Sequence, residues 1–152
     1  MDHPAIRPYR AEDHPAILRA MHELQDYERA LHPSRRPAAA VAEAYLTRLL
    51  QRVAERSGAL FVAESAGAVI GFIACYVKDT ESLIETAAFS RYGYVSDLHV
   101  AAEWRGRGVA RRLSRGGGGS PRAARGGPVA HRRPRGQFSG TARLYKIRLR
   151  AL

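Results

Sequence analysis

The run Arg105-Gly106-Arg107-Gly108-Val109-Ala110 joins two segments of different hydrophobic period. Residues 93–100, Gly93 to Val100, alternate as a strand does, and Val109 onward reads as the start of a helix. A tight turn between a strand and a helix points several backbone N–H groups at one spot. The helix dipole makes that spot attractive to an anion such as phosphate. Gly106 and Gly108 let the backbone approach without a Cβ in the way, and Arg105 and Arg107 add positive charge. By itself R-x-x-G-x-A is a common string; the strand before it, the helix after it and a hairpin upstream give it meaning.

The rest of the chain supplies that context. Ala5-Ile6-Arg7-Pro8-Tyr9 reads as a short first strand. Asp13 ahead of Pro15 predicts a helix start, with Asp13 as cap and Ile17, Met21, Leu24 and Leu31 on one apolar face beside Tyr27. After a loop over Leu31 to Pro37, residues 38–56 predict a second helix with Val41, Tyr45, Leu49 and Val53 inward, closed by Ser57-Gly58. The period then changes. Leu60 to Glu64 and Val69 to Val77 predict strands, joined by Ser65-Ala66-Gly67 as a hairpin. Residues 78–92 are irregular, as a loop or flap would be.

The 152 residues suit a single domain with a buried core. Neither an apolar run of membrane-spanning length nor a signal pattern is visible, so the cytoplasm is the expected location. Cys75 is the only cysteine, which excludes disulfides and cysteine metal sites; it is expected in the core. The net charge of +11 is concentrated at one end. Residues 1–113 carry 15 of the 25 Lys and Arg and all 14 acidic residues, and the last 39 residues carry the other 10 cations and no acid.

The order strand, helix, helix, hairpin, strand, glycine turn, helix resembles the GNAT superfamily of N-acetyltransferases over residues 4–113. The run V-S-D-L-H-V-A-A-E-W-R-G-R-G-V-A-R-R-L, from Val95 to Leu113, is similar to that family's acetyl-CoA signature. The resemblance implies an α/β fold, with a mixed, mostly antiparallel sheet flanked by helices and central strands that splay around the thioester. It implies an acyltransferase moving acetyl from acetyl-CoA directly to a primary amine of a small molecule or a protein, with no metal. Family members commonly form homodimers. Carried over, the pyrophosphate would lie on the turn from Arg105 through Gly106, Arg107, Gly108, Val109 and Ala110 to Arg111. The backbone of Leu98, His99 and Val100 would bond the pantetheine arm, and one N–H there would polarise the thioester carbonyl.

Acetyl transfer also needs a base for the amine and an acid for the leaving thiolate. Asp97 stands at or near the position where the family often carries an acidic residue, and His99, Glu28 and Glu85 are further candidates. Leu144-Tyr145 matches the family's L-Y motif, which makes Tyr145 the expected general acid. Glu28 or Asp26 could attract a cationic amine, with Tyr27 and Tyr94 lining its pocket. Each has a plainer reading: a backbone-bonded carboxylate for Asp97, a sheet histidine for His99, a solvated helix face for the acids and packing for the tyrosines.

After Leu113 the resemblance breaks. Ser114-Arg115, four glycines and a run of Arg, Gly, Pro and Ala replace the rest of the amphipathic helix. Four glycines cannot propagate a helix at about 1 kcal/mol each relative to alanine. The composition of residues 114–140 is that of a disordered segment, and also that of a GC-rich gene read out of frame. A one-base shift allows A-E-A-E-A-R over the glycines, H-T-A-V-L-E-G-N-S-A ahead of Gly140, and S-G-F over Ile147 to Leu149, each fitting the family; in the unshifted frame Phe138 stands where an asparagine is expected. Two competitors follow if the tail is literal. One is a catalytically inactive CoA-binding module. The other is a nucleic-acid binder using the basic tail, although no aromatic residue is interleaved with arginine between 115 and 136 to stack a base.

Overall fold

The computed structural model describes residues 3–79, 83–84, 91–116 and 146–147. Its elements in chain order are β1 (Ala5–Pro8), α1 (His14–Leu31), α2 (Ala38–Glu55), β2 (Ala59–Ser65), β3 (Ala68–Asp79), β4 (Arg91–Val100), α3 (Val109–Gly116) and β5 (Lys146–Ile147). The strands lie in sequence order in one sheet, and every pairing among the described residues is antiparallel. The α/β class and the antiparallel sheet flanked by helices agree with the sequence reading. Any parallel pairing, and the splay that the resemblance implies, would involve residues outside the described ones.

The β2–β3 hairpin closes through Ala66 and Gly67, both at positive φ (48° and 76°), the geometry that matches the right-handed twist of a two-residue connection. Two apolar layers cover the sheet. On one face α1 and α2 bury Ile17, Met21, Ala42, Leu46 and Leu49 against Leu60, Val62, Phe72, Ala74 and Tyr76. On the other, Val109 and Leu113 of α3 pack on Ala63, Ile70, Ile73, Val95 and Val100.

Four sequence expectations shift. Asp13 precedes α1 but makes no side-chain cap. Its carboxylate is taken instead by Arg7, which donates to both oxygens at 2.7 and 2.8 Å, and by the Arg10 N–H at 2.8 Å. Arg7 also donates to Glu64 at 2.6 Å, so one guanidinium ties β1 to β2 and to the entry of α1. Leu31, expected inward, is 58% exposed at the last residue of α1. The buried stripe of α2 is Ala38, Ala42, Leu46 and Leu49 rather than Val41, Tyr45, Leu49 and Val53. Tyr45 therefore sits at the edge of the helix–sheet interface, 40% exposed. Cys75 is only half-buried, with its thiol directed at the Ala59 carbonyl.

Register on β4 changes once. Ala74 pairs with Asp97 but Cys75 pairs with Val95, so Ser96 is an extra residue on β4. Such a bulge resets which face the following side chains take. Val95 packs under α3, whereas Tyr94, Asp97 and His99 all reach the α1–α2 face.

Candidate active site

β4 ends at Val100, and the chain passes through a short 3-10 turn (Ala102–Trp104) before α3. Gly106 and Gly108 adopt φ of +76° and +78°, the left-handed region that glycine enters without penalty. A Cβ built on either would find nothing within 4 Å, so the turn is open on that side. The first hydrogen bond of α3 runs from the Arg112 N–H to the Gly108 carbonyl at 3.1 Å. The amides of Val109, Ala110 and Arg111 are thus the orphan donors that every helix start carries. Buried Val109 and Leu113 hold this end of α3 against the sheet.

The arginines divide their work. Arg105 donates from Nε to the Val100 carbonyl at 3.0 Å, folding the turn back onto the end of β4. Arg107 lies over the Trp104 ring at 5.2 Å, a cation–π contact. Arg111 is exposed on the first turn of α3. The charge of Arg105 is plain from its residue type; its bond to the strand terminus, which fixes the shape of the turn, is not. Leu98 and Val100 pair with β3 and pack under α3, as expected of core side chains. Among the described residues, no strand pairs with the other edge of β4 between Val95 and Val100; β5 reaches only Gly93 and Tyr94.

Asp97 is 8% exposed and lies between β4 and the helices. The Tyr45 phenol donates to it, 3.1 Å from each carboxylate oxygen. Burial pushes the Asp97 carboxyl upward from its ordinary range; the Ser96 and Tyr45 hydroxyls pull it back, the Glu28 charge raises it and Arg52 lowers it. Burial beside this carboxylate also drives the Tyr45 phenol well above its usual value, so it remains a donor at every accessible pH.

His99 is 4% exposed, stacked on Phe72, with Nε2 3.0 Å from a Glu23 carboxylate oxygen. Its Nδ1 is buried without a partner. Desolvation lowers its pKa more than Glu23 raises it. His99 is thus a packed sheet residue, its ring set between Phe72 and the Glu23 carboxylate of α1.

Glu28 lies on α1 near enough to influence Asp97, yet it pairs with Arg35 at 3.3 Å. Asp26 is engaged elsewhere, its Oδ1 accepting the Ala38 N–H at 3.2 Å in the first turn of α2. Tyr27 is half-buried one residue before Glu28. Tyr94 packs on the α1–α2 layer, tilted against Tyr76 with ring centres 5.5 Å apart. Tyr145 and Glu85 lie outside the described residues. The structure thus brings Asp97, Glu28 and the β4–α3 turn to one strand and its flanks. It adds Tyr45, Arg52 and Glu23, which the sequence reading did not assign to the site. The one available signal was that Ala38, Ala42, Leu46 and Leu49 make a cleaner apolar stripe than the one through Tyr45.

A family model described as acetyltransferase (GNAT) family matches residues 19–115, more than half of the sequence. The chain belongs to that family. An acetyltransferase from Vibrio fischeri is 23% identical, with a TM-score of 0.55 over 74% of this chain and 81% of that one. A GCN5-related N-acetyltransferase from Ralstonia eutropha is 24% identical, with a TM-score of 0.56 over 74% and 71%. A Corynebacterium glutamicum structure named histone acetyltransferase HPA2 and related acetyltransferase reaches 0.58 at 17% identity, over 74% and 68%. These likenesses concern the fold. No curated protein matches the chain. Among the described residues, no helix is long and apolar enough to cross a membrane, and no cluster of His, Cys, Asp or Glu could hold a metal ion.

Proposed function

We propose that this protein transfers the acetyl group of acetyl-CoA to a primary amine. The observation that carries the reading is the β4–α3 turn: two left-handed glycines, open space where their Cβ atoms would stand, and three free amides at the start of a helix anchored by Val109 and Leu113. That set of donors fits a diphosphate, because it offers N–H groups and dipole without steric cover. Arg107 and Arg111 add cationic charge on the solvent side. The backbone of Leu98, His99 and Val100 is the natural partner for the pantetheine arm, lying along an edge that β5 does not reach.

The thioester supplies an activated acyl carbon, and the chain's own residues manage the protons. An amine arrives as an ammonium and must lose a proton before it can attack. Asp97 suits that role because burial lifts its pKa toward the acceptor's, which improves proton transfer. Glu28, with Tyr27 beside it, lies on the approach to Asp97 and favours a cationic substrate. Tyr145 is the residue we assign to protonate the thiolate, through its L-Y motif. We also read residues 114–152 as carrying shifted stretches of reading frame within one acetyltransferase domain, with the unshifted frame fitting again over Ala142 to Lys146, and resequencing codons 110–152 tests this directly.

The functional test is calorimetric titration with CoA followed by thiol release from acetyl-CoA across a panel of small amines, amino acids, aminoglycosides and peptide amines. Micromolar CoA binding with turnover on at least one amine is expected. Binding without turnover on any amine would make the protein a CoA-binding module, and no binding would end the assignment.

A further inference from the structure

We propose that Tyr45 is a positioning residue for proton removal at Asp97, its phenol carried in on α2 to hold the carboxylate in one orientation. The inference rests on the reading of Asp97 as the base and adds a residue that reading does not contain.

Three observations support it. The phenol oxygen is 3.1 Å from both Asp97 oxygens, so one O–H is shared between them and points at the middle of the carboxylate. A donor shared equally between the two oxygens fixes where the carboxylate points, and its outer lone pairs stay available to a second donor, the incoming ammonium. Packing does not account for Tyr45 being where it is. The residue is 40% exposed and stands off the buried stripe of α2, yet its hydroxyl end is buried enough to raise its pKa. A tyrosine placed for packing would be expected on the stripe. Finally, the Ser96 bulge puts Asp97 on the same face as Tyr94, three residues earlier, so this face of β4 gathers Tyr94, Asp97 and His99 under the helix that carries Tyr45.

The groups that face Asp97 set the expected response. Tyr45 and Arg52 approach from α2, Glu28 from α1, and the Ser96 hydroxyl from β4 itself. Ala74, opposite it on β3, carries no charge. Tyr45 and Arg52 favour the ionised carboxylate, whereas Glu28 and burial oppose it. Removing only the phenol oxygen therefore tips the balance toward the protonated acid.

The test is Tyr45→Phe, which keeps the ring and so keeps what packing the ring contributes. Two readouts are taken. One is the pH profile of kcat/KM for acetyl transfer to the best amine from the panel. The other, independent of turnover, is a 13C NMR titration of the side-chain carboxyls, with the Asp97 resonance identified by its loss in Asp97→Asn. In Tyr45→Phe the Asp97 titration midpoint and the acid limb of kcat/KM should rise together. At a fixed pH on that limb kcat/KM should fall about tenfold, the worth of one hydrogen bond to a charged group, with CoA affinity unchanged. An unmoved Asp97 midpoint overturns the proposal. So does a moved midpoint with an unmoved acid limb, since the contact would then exist without serving proton transfer. The underlying reading fails separately, and visibly, if Asp97→Asn retains full turnover.

Discussion

Replacing Gly108 by alanine separates anion binding from backbone strain, because the structure supplies a matched control. Gly67 in the β2–β3 turn and Gly108 in the β4–α3 turn share nearly the same φ, +76° and +78°, and a Cβ on either meets nothing within 4 Å. The conformational penalty of an L side chain is therefore common to both, about 1–2 kcal/mol. In a domain of this size that lowers Tm by about 2–8 °C. Only at Gly108 would the new methyl enter the open space in front of the start of α3, where a diphosphate on its first amides would lie. If those amides grip a diphosphate, Gly108→Ala should raise the calorimetric Kd for CoA at least about tenfold, equivalent to ~1.4 kcal/mol. Gly67→Ala should leave it within about twofold. Thermal shift gives a second reading: CoA at a hundred times its Kd should stabilise the parent protein and Gly67→Ala by about 2.7 kcal/mol, and Gly108→Ala by much less at the same concentration. Equal losses of Tm in the two variants together with equal CoA affinity would refute the idea that this turn binds the nucleotide.

Other consequences can be checked on purified protein. Arg7 holds Asp13 below the usual carboxylate range, so this pair stabilises the fold above that range and the contribution is lost as pH falls through the depressed value. Asp13→Asn should cost about 2–4 kcal/mol at pH 7 in urea unfolding, because it leaves the half-buried Arg7 with one acid instead of two, and the deficit should shrink below about pH 4. Asp97 has the opposite sign. Its raised pKa means that burying the ionised form costs stability at neutral pH, a cost that disappears as pH drops through the raised value. Asp97→Asn should thus melt no lower than the parent at pH 7 while losing about 100-fold or more in kcat. Gly71→Ala puts a methyl 2.7 Å from the His99 carbonyl and should cost about 1–3 kcal/mol, with circular dichroism melting as the measure; an unchanged melt would mean that β3 and β4 can part there freely.

Much of this architecture was written in local pattern. The switch from helical to alternating spacing near Gly58 marks where the two helices give way to the hairpin, and Ala66-Gly67 closes that hairpin as a two-residue turn. The β4–α3 turn was legible for the same reason: positive φ at Gly106 and Gly108 is a property of the residues themselves. What misled was partner choice. Asp13 looks like a cap, but a guanidinium with two charge-assisted bonds competes better for its carboxylate than one backbone N–H. Tyr45 looks like core at helical spacing, but the sheet below is met one residue further round α2, where alanines permit close approach.

The sequence by itself determined the order of elements, the location of the glycine turn before α3 and the near-neutrality of the first 113 residues, because each depends on neighbours within a few positions. Only the tertiary structure decided which side chains surround Asp97. A single unpaired residue at Ser96 breaks the alternation along β4, and α1 and α2, folded over the face that Asp97 takes, bring Glu28, Tyr45 and Arg52 to it from 69, 52 and 45 positions away. Long-range meeting of this kind leaves no periodicity to read, since it is set by register and helix rotation rather than by spacing along the chain.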